Sequence, residues 1–288
     1  MPPANSSPAS AGVALVIGSG SVKCAAALGL MKVLKRERIP VDLVVGCSGG
    51  SLYASLIALG IDVGEAEEMT RRLWTRDLTK RRAWKAPLRV LFPGLFGFSE
   101  KFGLVDDSLV LARLRHAFGE KTFADAKIPL FLTATDFWNG EQVVMSEGGL
   151  VDAIRASIAI PYVFEPWRVG DRVLLDGFMS DPMPVGVAIR EGAGVIVTMG
   201  FESPYQTRVN GVLKFAFQLS SINSNNLLRS NYSFHNLAHH SEILPIVPVF
   251  KDAIHLFDTD KIPAVIAEGE RAAEELVPQL RRLLGVAA

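Results

Sequence analysis

A serine set among glycines, Gly46-Cys47-Ser48-Gly49-Gly50, follows the apolar run Val41-Asp42-Leu43-Val44-Val45 and precedes a helical stretch from Ser51 to Leu59. Strand, tight turn and helix around Gly-x-Ser-x-Gly is the arrangement in which small neighbours let a serine Oγ stand exposed on a strained turn, as a nucleophile requires. The N-terminus of the following helix favours negative charge developing beside it. A serine nucleophile also needs a base, and His116, His235, His239, His240 and Asp176 are the residues that could serve. The order Ser48, Asp176, then His239 or His240 is that of an α/β-hydrolase triad. Two features oppose it: the elbow follows the second strand rather than lying deep in the sheet, and these histidines fall in the weakly patterned stretch 231–240. Asp176 ends a strand and is followed by Gly177, which places its carboxylate at the carboxyl edge of a parallel sheet, where Ser48 also stands.

A second turn, Gly18-Ser19-Gly20-Ser21-Val22-Lys23, follows Val13-Ala14-Leu15-Val16-Ile17. As a dinucleotide fingerprint it fails, because Lys23 stands where the last glycine is required and no ribose-binding acid follows a matching strand. Backbone N–H groups at a helix start, beside a serine elbow on the adjacent strand, instead suit an oxyanion hole. Lys23 would add local positive charge or hold the loop. Cys47, next to the nucleophile, reads as a small buried filler, since free cysteine is usually buried and inert.

These turns need a frame. Val13–Ile17 and Val41–Val45 read as buried parallel strands, each followed by a helix, with helical periodicity through Leu28, Met31 and Leu34 after the first. Helical pattern then covers 63–89, 108–118, 151–158, 185–191 and 263–284. Leu130–Phe137 and Glu141–Met145 form a hairpin about Asn139-Gly140, and Arg172–Leu175 and Gly194–Thr198 are further strands. Between Phe201 and Pro263 the pattern is mixed. With neither repeat nor linker, the reading is an α/β fold with a mostly parallel central sheet flanked by helices. Its parts are a disordered tail over 1–12, a catalytic domain over 13–200, and a mainly helical extension over 201–288 packed on the same domain.

Composition narrows the function. The 288 residues are 49% hydrophobic, and 30 Lys+Arg balance 30 Asp+Glu, so no global field steers the chain to nucleic acid. Cys24 and Cys47 are too few for a disulfide framework and sit in no metal-ligand spacing. Neither a signal-peptide pattern nor a run of ~20 apolar residues is present. The expected location is the cytoplasm, with peripheral contact at the inner membrane face through Lys80–Phe98. That stretch begins Lys80-Arg81-Arg82-Ala83-Trp84-Lys85 and continues through Leu91-Phe92-Pro93-Gly94-Leu95-Phe96-Gly97-Phe98, mixing cations with large apolar side chains as interfacial segments do. A solvated helix followed by a core-packing loop is the alternative.

Several blocks, in order over roughly Val13 to Thr198, resemble the bacterial patatin-like phospholipases. Gly18–Cys24 resembles that family's glycine-rich oxyanion loop with its basic residue, and Gly46–Gly50 its nucleophile elbow. Thr133-Ala134-Thr135-Asp136, then Ile154–Pro161 with Phe164 and Pro166, then Asp176-Gly177-Phe178 with Pro182 and Pro184, are similar to its later blocks. The resemblance implies a three-layer patatin-like fold and a Ser48–Asp176 dyad without histidine, acting on a lipid or other acyl ester through an acyl-enzyme. Backbone N–H groups of Ser19, Gly20 and Ser21 would hold the oxyanion, with Gly18, Lys23, Gly46, Gly50 and Gly177 supporting the loops, and no metal or cofactor is required. Ser19, Ser21 and Cys24 stand where that family's loop is usually glycine, and Phe178 where Gly or Ala is common after Asp-Gly. The alternatives are accordingly a non-catalytic lipid-binding or regulatory member with an impaired oxyanion loop, and an acyltransferase.

Overall fold

Five consecutive apolar residues with no solvent-facing member cannot line a one-sided sheet, and Val13–Ile17 (β1) is buried along its whole length at the sheet centre. The computed structural model describes residues 12–73, 75, 77, 95, 99–238, 241–250, 254 and 258–285. The expected tail therefore lies, Gly12 apart, outside the described residues. β1 pairs in parallel with β2 (Leu43–Cys47) and β7 (Val195–Met199), β2 with β3 (Leu130–Asp136), and β7 with β8 (Glu242–Ile246). β4 (Gln142–Met145), β5 (Trp167–Val169) and β6 (Arg172–Asp176) add an antiparallel flank, giving one mixed sheet of eight strands among the described residues.

Alternation along β1 divides the interior. Leu15 and Ile17 join the larger cluster with α1 (Ala26–Arg36), α2 (Gly49–Ala58) and α8 (Ile262–Leu283). Ala14 and Val16 face the smaller one, filled by Val185 and Val187 of α6 (Val185–Arg190) and Leu228 of α7 (Val212–Ala238). Helices on both faces make three layers. Three more helices, α3 (Val63–Leu73), α4 (Ser108–Phe118) and α5 (Leu150–Ser157), pack on the larger cluster. The periodicity predicts helix through Arg89, but α3 ends at Leu73, and most residues from there to Phe98 lie outside the described ones. The segment past Phe201 holds more order than its composition suggests, namely the long α7 and the edge strand β8.

Helices α1 and α8 meet backbone to backbone. A Cβ at Gly29 would stand 2.0 Å from the Ile266 carbonyl oxygen, and one at Gly269 2.1 Å from that of Ala26. Arg36 then reaches Glu274 at 2.8 Å and Arg281 reaches Glu37 at 2.8 Å across the same pair. Gly29→Ala or Gly269→Ala should therefore push the helices apart and cost about 1–3 kcal/mol by overpacking, read as a lower midpoint in urea.

Candidate active site

Where Ser48 and Asp176 meet is decided by the edges of β3. Antiparallel β4 occupies one edge opposite Leu132–Thr135, so β2 and β6 must share the other. On that edge β2 lies opposite Leu130–Thr133 and β6 opposite Ala134–Asp136. They run in opposite directions, so their carboxyl ends face each other, Cys47 beside Thr133 and Asp176 beside Ala134. The expectation that Asp176 leaves the carboxyl edge of a parallel strand is thereby corrected: it arrives head-on from an antiparallel one. Gly177 makes the close approach feasible, since a Cβ there would stand 2.6 Å from the Thr133 carbonyl oxygen and 2.9 Å from Cys47 Sγ.

At this junction the Ser48 hydroxyl donates to Asp176 Oδ2 at 2.7 Å. Ser48 has φ 55° and ψ −129°, a left-handed backbone that a side chain adopts only at a cost of about 1–3 kcal/mol. The neighbourhood over-determines this conformation. The Ser48 N–H donates to Ser157 Oγ at 2.9 Å, Ser157 Oγ–H donates to the Thr133 carbonyl at 2.7 Å, and Ser51 Oγ–H donates to the Ser48 carbonyl at 2.6 Å. On the inner side, a Cβ at Gly46 would stand 2.6 Å from that of Ala54, and one at Gly50 2.2 Å from the Ile17 carbonyl oxygen. The elbow therefore needs its small residues for packing as well as exposure.

Asp176 is fully buried. Its Oδ1 accepts the Phe178 N–H at 3.1 Å, and its own N–H donates to the Ala159 carbonyl at 3.0 Å. Burial pushes its carboxyl up to about 7, against the hydrogen bonds from Phe178 and Ser48 that favour the charged form. Between the unfolded value near 3.9 and this one, the folded chain holds a proton that the unfolded chain has lost, so stability falls as pH rises. Asp176→Asn should accordingly raise Tm over wild type at pH 8, with the gap closing toward pH 4.

The first turn lies alongside. Gly20, Ser21 and Gly49 line, with Ser48, a cavity of about 350 Å³ whose lining also includes Phe201 and Phe217. A Cβ at Gly20 would stand 2.3 Å from the Phe201 ring, and one at Gly49 2.7 Å from Ser21 Cα, so both turns are packed too closely for side chains. The expectation of three amide donors is corrected at Ser19, whose N–H is already given to the Pro182 carbonyl at 2.8 Å. Ser21, at φ 53°, occupies a backbone conformation that glycine adopts more readily. Lys23 holds the loop: its ammonium donates to the Glu202 carbonyl at 2.8 Å and lies 5.4 Å from the Phe201 ring centroid. Gly18 is fixed by its N–H to the Met199 carbonyl at 2.8 Å.

Of the other candidates, His116 is exposed on α4, His235 falls on α7, and His239 and His240 lie outside the described residues. Cys24 and Cys47 are buried thiols, donating at 3.4 Å to the carbonyls of Gly18 and Asp181, and burial raises both pKa values, so neither ionises readily. Sequence reasoning missed Gly49, whose amide heads α2 directly after the serine, a position that the elbow geometry itself marks. It also missed Ser157 as the support of the elbow, although the residue sits within the block Ile154–Pro161.

The family model for patatin-like phospholipases matches residues 15–189, which carry every residue of this junction. The chain belongs to the patatin-like phospholipase family. Among its relatives, an NTE family protein of Mycobacterium tuberculosis is 32% identical over 173 residues, 60% of this chain and 44% of the relative. The human patatin-like phospholipase domain-containing protein 6 is 26% identical over 197 residues, 68% of this chain and 14% of the relative. This patatin-like chain thus spans less than half the length of those curated relatives. A crystal structure of VipD from Legionella pneumophila aligns over 95% of this chain and 68% of that one, at 14% identity and a TM-score of 0.47. Among the described residues no helix is long and apolar enough to cross a membrane, and Lys80–Phe98 lies, Leu95 apart, outside them.

Proposed function

We propose that this patatin-like protein is a serine lipid acyl hydrolase, a phospholipase, lysophospholipase or carboxylesterase, working through Ser48 and Asp176. The observation that carries this reading is the 2.7 Å hydrogen bond from the strained Ser48, which lines the cavity, to the buried carboxylate of Asp176 behind it. Asp176 takes the hydroxyl proton as Ser48 Oγ attacks the ester carbonyl carbon, and the carbonyl electron pair moves onto oxygen. The N–H groups of Gly20, Ser21 and Gly49 are the donors assigned to that oxyanion, each worth roughly 10²–10³ in rate. Collapse of the intermediate breaks the bond to the alcohol oxygen, which leaves with the proton from Asp176. Water, deprotonated by Asp176 in turn, then attacks the acyl carbon, the bond to Ser48 Oγ breaks to release the acid, and Asp176 returns the proton to Ser48 Oγ.

A carboxylate raised to about 7 is a better base than one near 3.9, and it accepts the proton only when ionised. Activity should therefore climb as pH rises through about 7 and level off above it. The test is hydrolysis of p-nitrophenyl esters of increasing chain length between pH 5 and 9. A flat profile contradicts Asp176 as base. The non-catalytic reading draws on Ser19, whose N–H is engaged, and on the left-handed Ser21; absence of turnover at every chain length and pH favours it. Adding a competing alcohol separates an acyltransferase, which would form a new ester instead of acid.

A further inference from the structure

The cavity wall and an exposed apolar surface are built by the same segment. Helix α7 turns Ser221, Ser224, Asn225 and Leu228 inward. Asn225 both accepts from the Ser203 N–H at 2.7 Å and donates to the Ser203 carbonyl at 3.0 Å, and Ser221 Oγ donates to the Pro204 carbonyl at 3.1 Å. These bonds, with the Gln206 N–H donating to Gln218 Oε1 at 2.7 Å, fix loop 203–206 against the N-terminal half of the helix, where Phe217, Ser220 and Ser221 line the cavity.

Outward, at spacings of four and three, the same turns present Phe215 (55% exposed), Leu219 (47%) and Ile222 (36%), joined by Tyr205 and Val209 at 48% each. Such clustering is uncommon on a monomer surface unless something is bound there. The segment that carries it is positively charged, and the neighbouring acid Glu202 is paired with Arg229. From Ser203 to Ala238 the chain carries Arg208, Lys214 and Arg229 but neither Asp nor Glu, although the whole chain is neutral. Arg229 pairs with Glu202 at 2.6 Å, whereas Arg208 and Lys214 are exposed beside the apolar cluster. Aromatic and aliphatic side chains flanked by cations, on a helix that does not span a bilayer, match a surface lying in the headgroup region of an anionic membrane.

We infer that the N-terminal half of α7, with the loop 205–209, docks the protein on anionic lipid bilayers so that the cavity beside Ser48 opens toward the membrane. The inference rests on the lipid hydrolase reading for its purpose and on exposure and charge for its placement. It assigns membrane contact to described residues outside the basic stretch 80–98.

The test uses the full chain carrying Ser48→Ala, so that vesicles stay intact, in co-sedimentation with phosphatidylcholine vesicles with and without phosphatidylglycerol. Binding should require phosphatidylglycerol, weaken about fivefold for Lys214→Gln and again for Arg208→Gln, and fall roughly tenfold or more for Phe215→Asp with Leu219→Asp. The charge variants stay informative if the apolar pair fails to fold. In the Ser48 background the same variants should hydrolyse a soluble short-chain p-nitrophenyl ester at the wild-type rate. No binding to phosphatidylglycerol vesicles, or binding unchanged in all variants, overturns the docking surface while soluble-ester turnover keeps the hydrolase reading. Binding lost in the variants, with no ester turned over by any form, supports the surface and removes the hydrolase reading. A dimer that Phe215→Asp with Leu219→Asp dissociates, without vesicle binding, makes this face a protein contact and overturns the inference.

Discussion

Asp176→Asn should lower ester hydrolysis by about 10²–10⁴-fold, the range in which a positioned base contributes, and leave a folded protein. The substitution keeps the shape of the side chain and an oxygen toward Phe178 N–H, so the turn after β6 survives. It removes the group that accepts the Ser48 proton, and no second carboxylate stands in the 2.7 Å contact. The loss should therefore appear in kcat and kcat/KM together, as expected for an interaction needed in the transition state. The residual rate should also lose the rise near pH 7, because its titrating group is gone. Together with the higher Tm at pH 8, that outcome would mean that a buried carboxylate lowers the stability of the folded chain at the pH where it is needed for turnover. An Asp176→Asn variant with wild-type activity would remove the dyad from the account.

The second large effect is structural. Arg155, on α5 two residues before Ser157, is fully buried and donates from Nε to Asp107 Oδ2 at 2.9 Å and from Nη2 to the Glu165 carbonyl at 2.9 Å. Its Nη1 has no hydrogen-bond partner, and the guanidinium lies 5.2 Å from the Phe164 ring centroid and 5.0 Å from that of Trp167. Removing the buried guanidinium leaves the half-buried Asp107 carboxylate and the Glu165 carbonyl without their donor, and an empty volume between Phe164 and Trp167. Arg155→Ala should accordingly cost about 3–5 kcal/mol in urea unfolding. The same helix supplies the acceptor for the Ser48 N–H through Ser157, so residual activity in the folded fraction should fall too. A loss under about 1 kcal/mol would show that Arg155 and Asp107 contribute no more than an exposed pair.

The parts of this architecture that announce themselves in the sequence are those set by local pattern. The buried runs of β1 and β7, the helix over Ser108–Phe118 and the hairpin at Asn139-Gly140 each follow from periodicity or turn chemistry within a few residues, whereas β2 lies two residues later than the run Val41–Val45 and takes in Gly46 and Cys47. α7 does not, because Ser and Asn are poor interior helix residues; here Ser221 and Asn225 are held by bonds to residues 203 and 204, a contact that no local window contains. β8 is hidden by Pro245, which cannot donate to a ladder and is tolerated because β8 is the sheet's edge.

The candidate site divides the same way. Ser48 and Asp176 are legible as types at turns, and Gly18, Gly46, Gly50 and Gly177 as small residues. The end-on meeting of β2 and β6 is not, because it depends on which edge of β3 is already occupied. Engagement of the Ser19 amide by Pro182 is equally out of reach, since it joins residues 163 positions apart in the chain.

If Ser48 is a nucleophile activated at this junction, a fluorophosphonate should label it, which intact-protein and peptide mass spectrometry would read. One adduct is expected, located on Ser48, forming fastest above pH 7, absent in Ser48→Ala and strongly slowed in Asp176→Asn. A folded protein that takes up no label, or that carries it on another residue with equal rates in wild type and Ser48→Ala, would contradict that role.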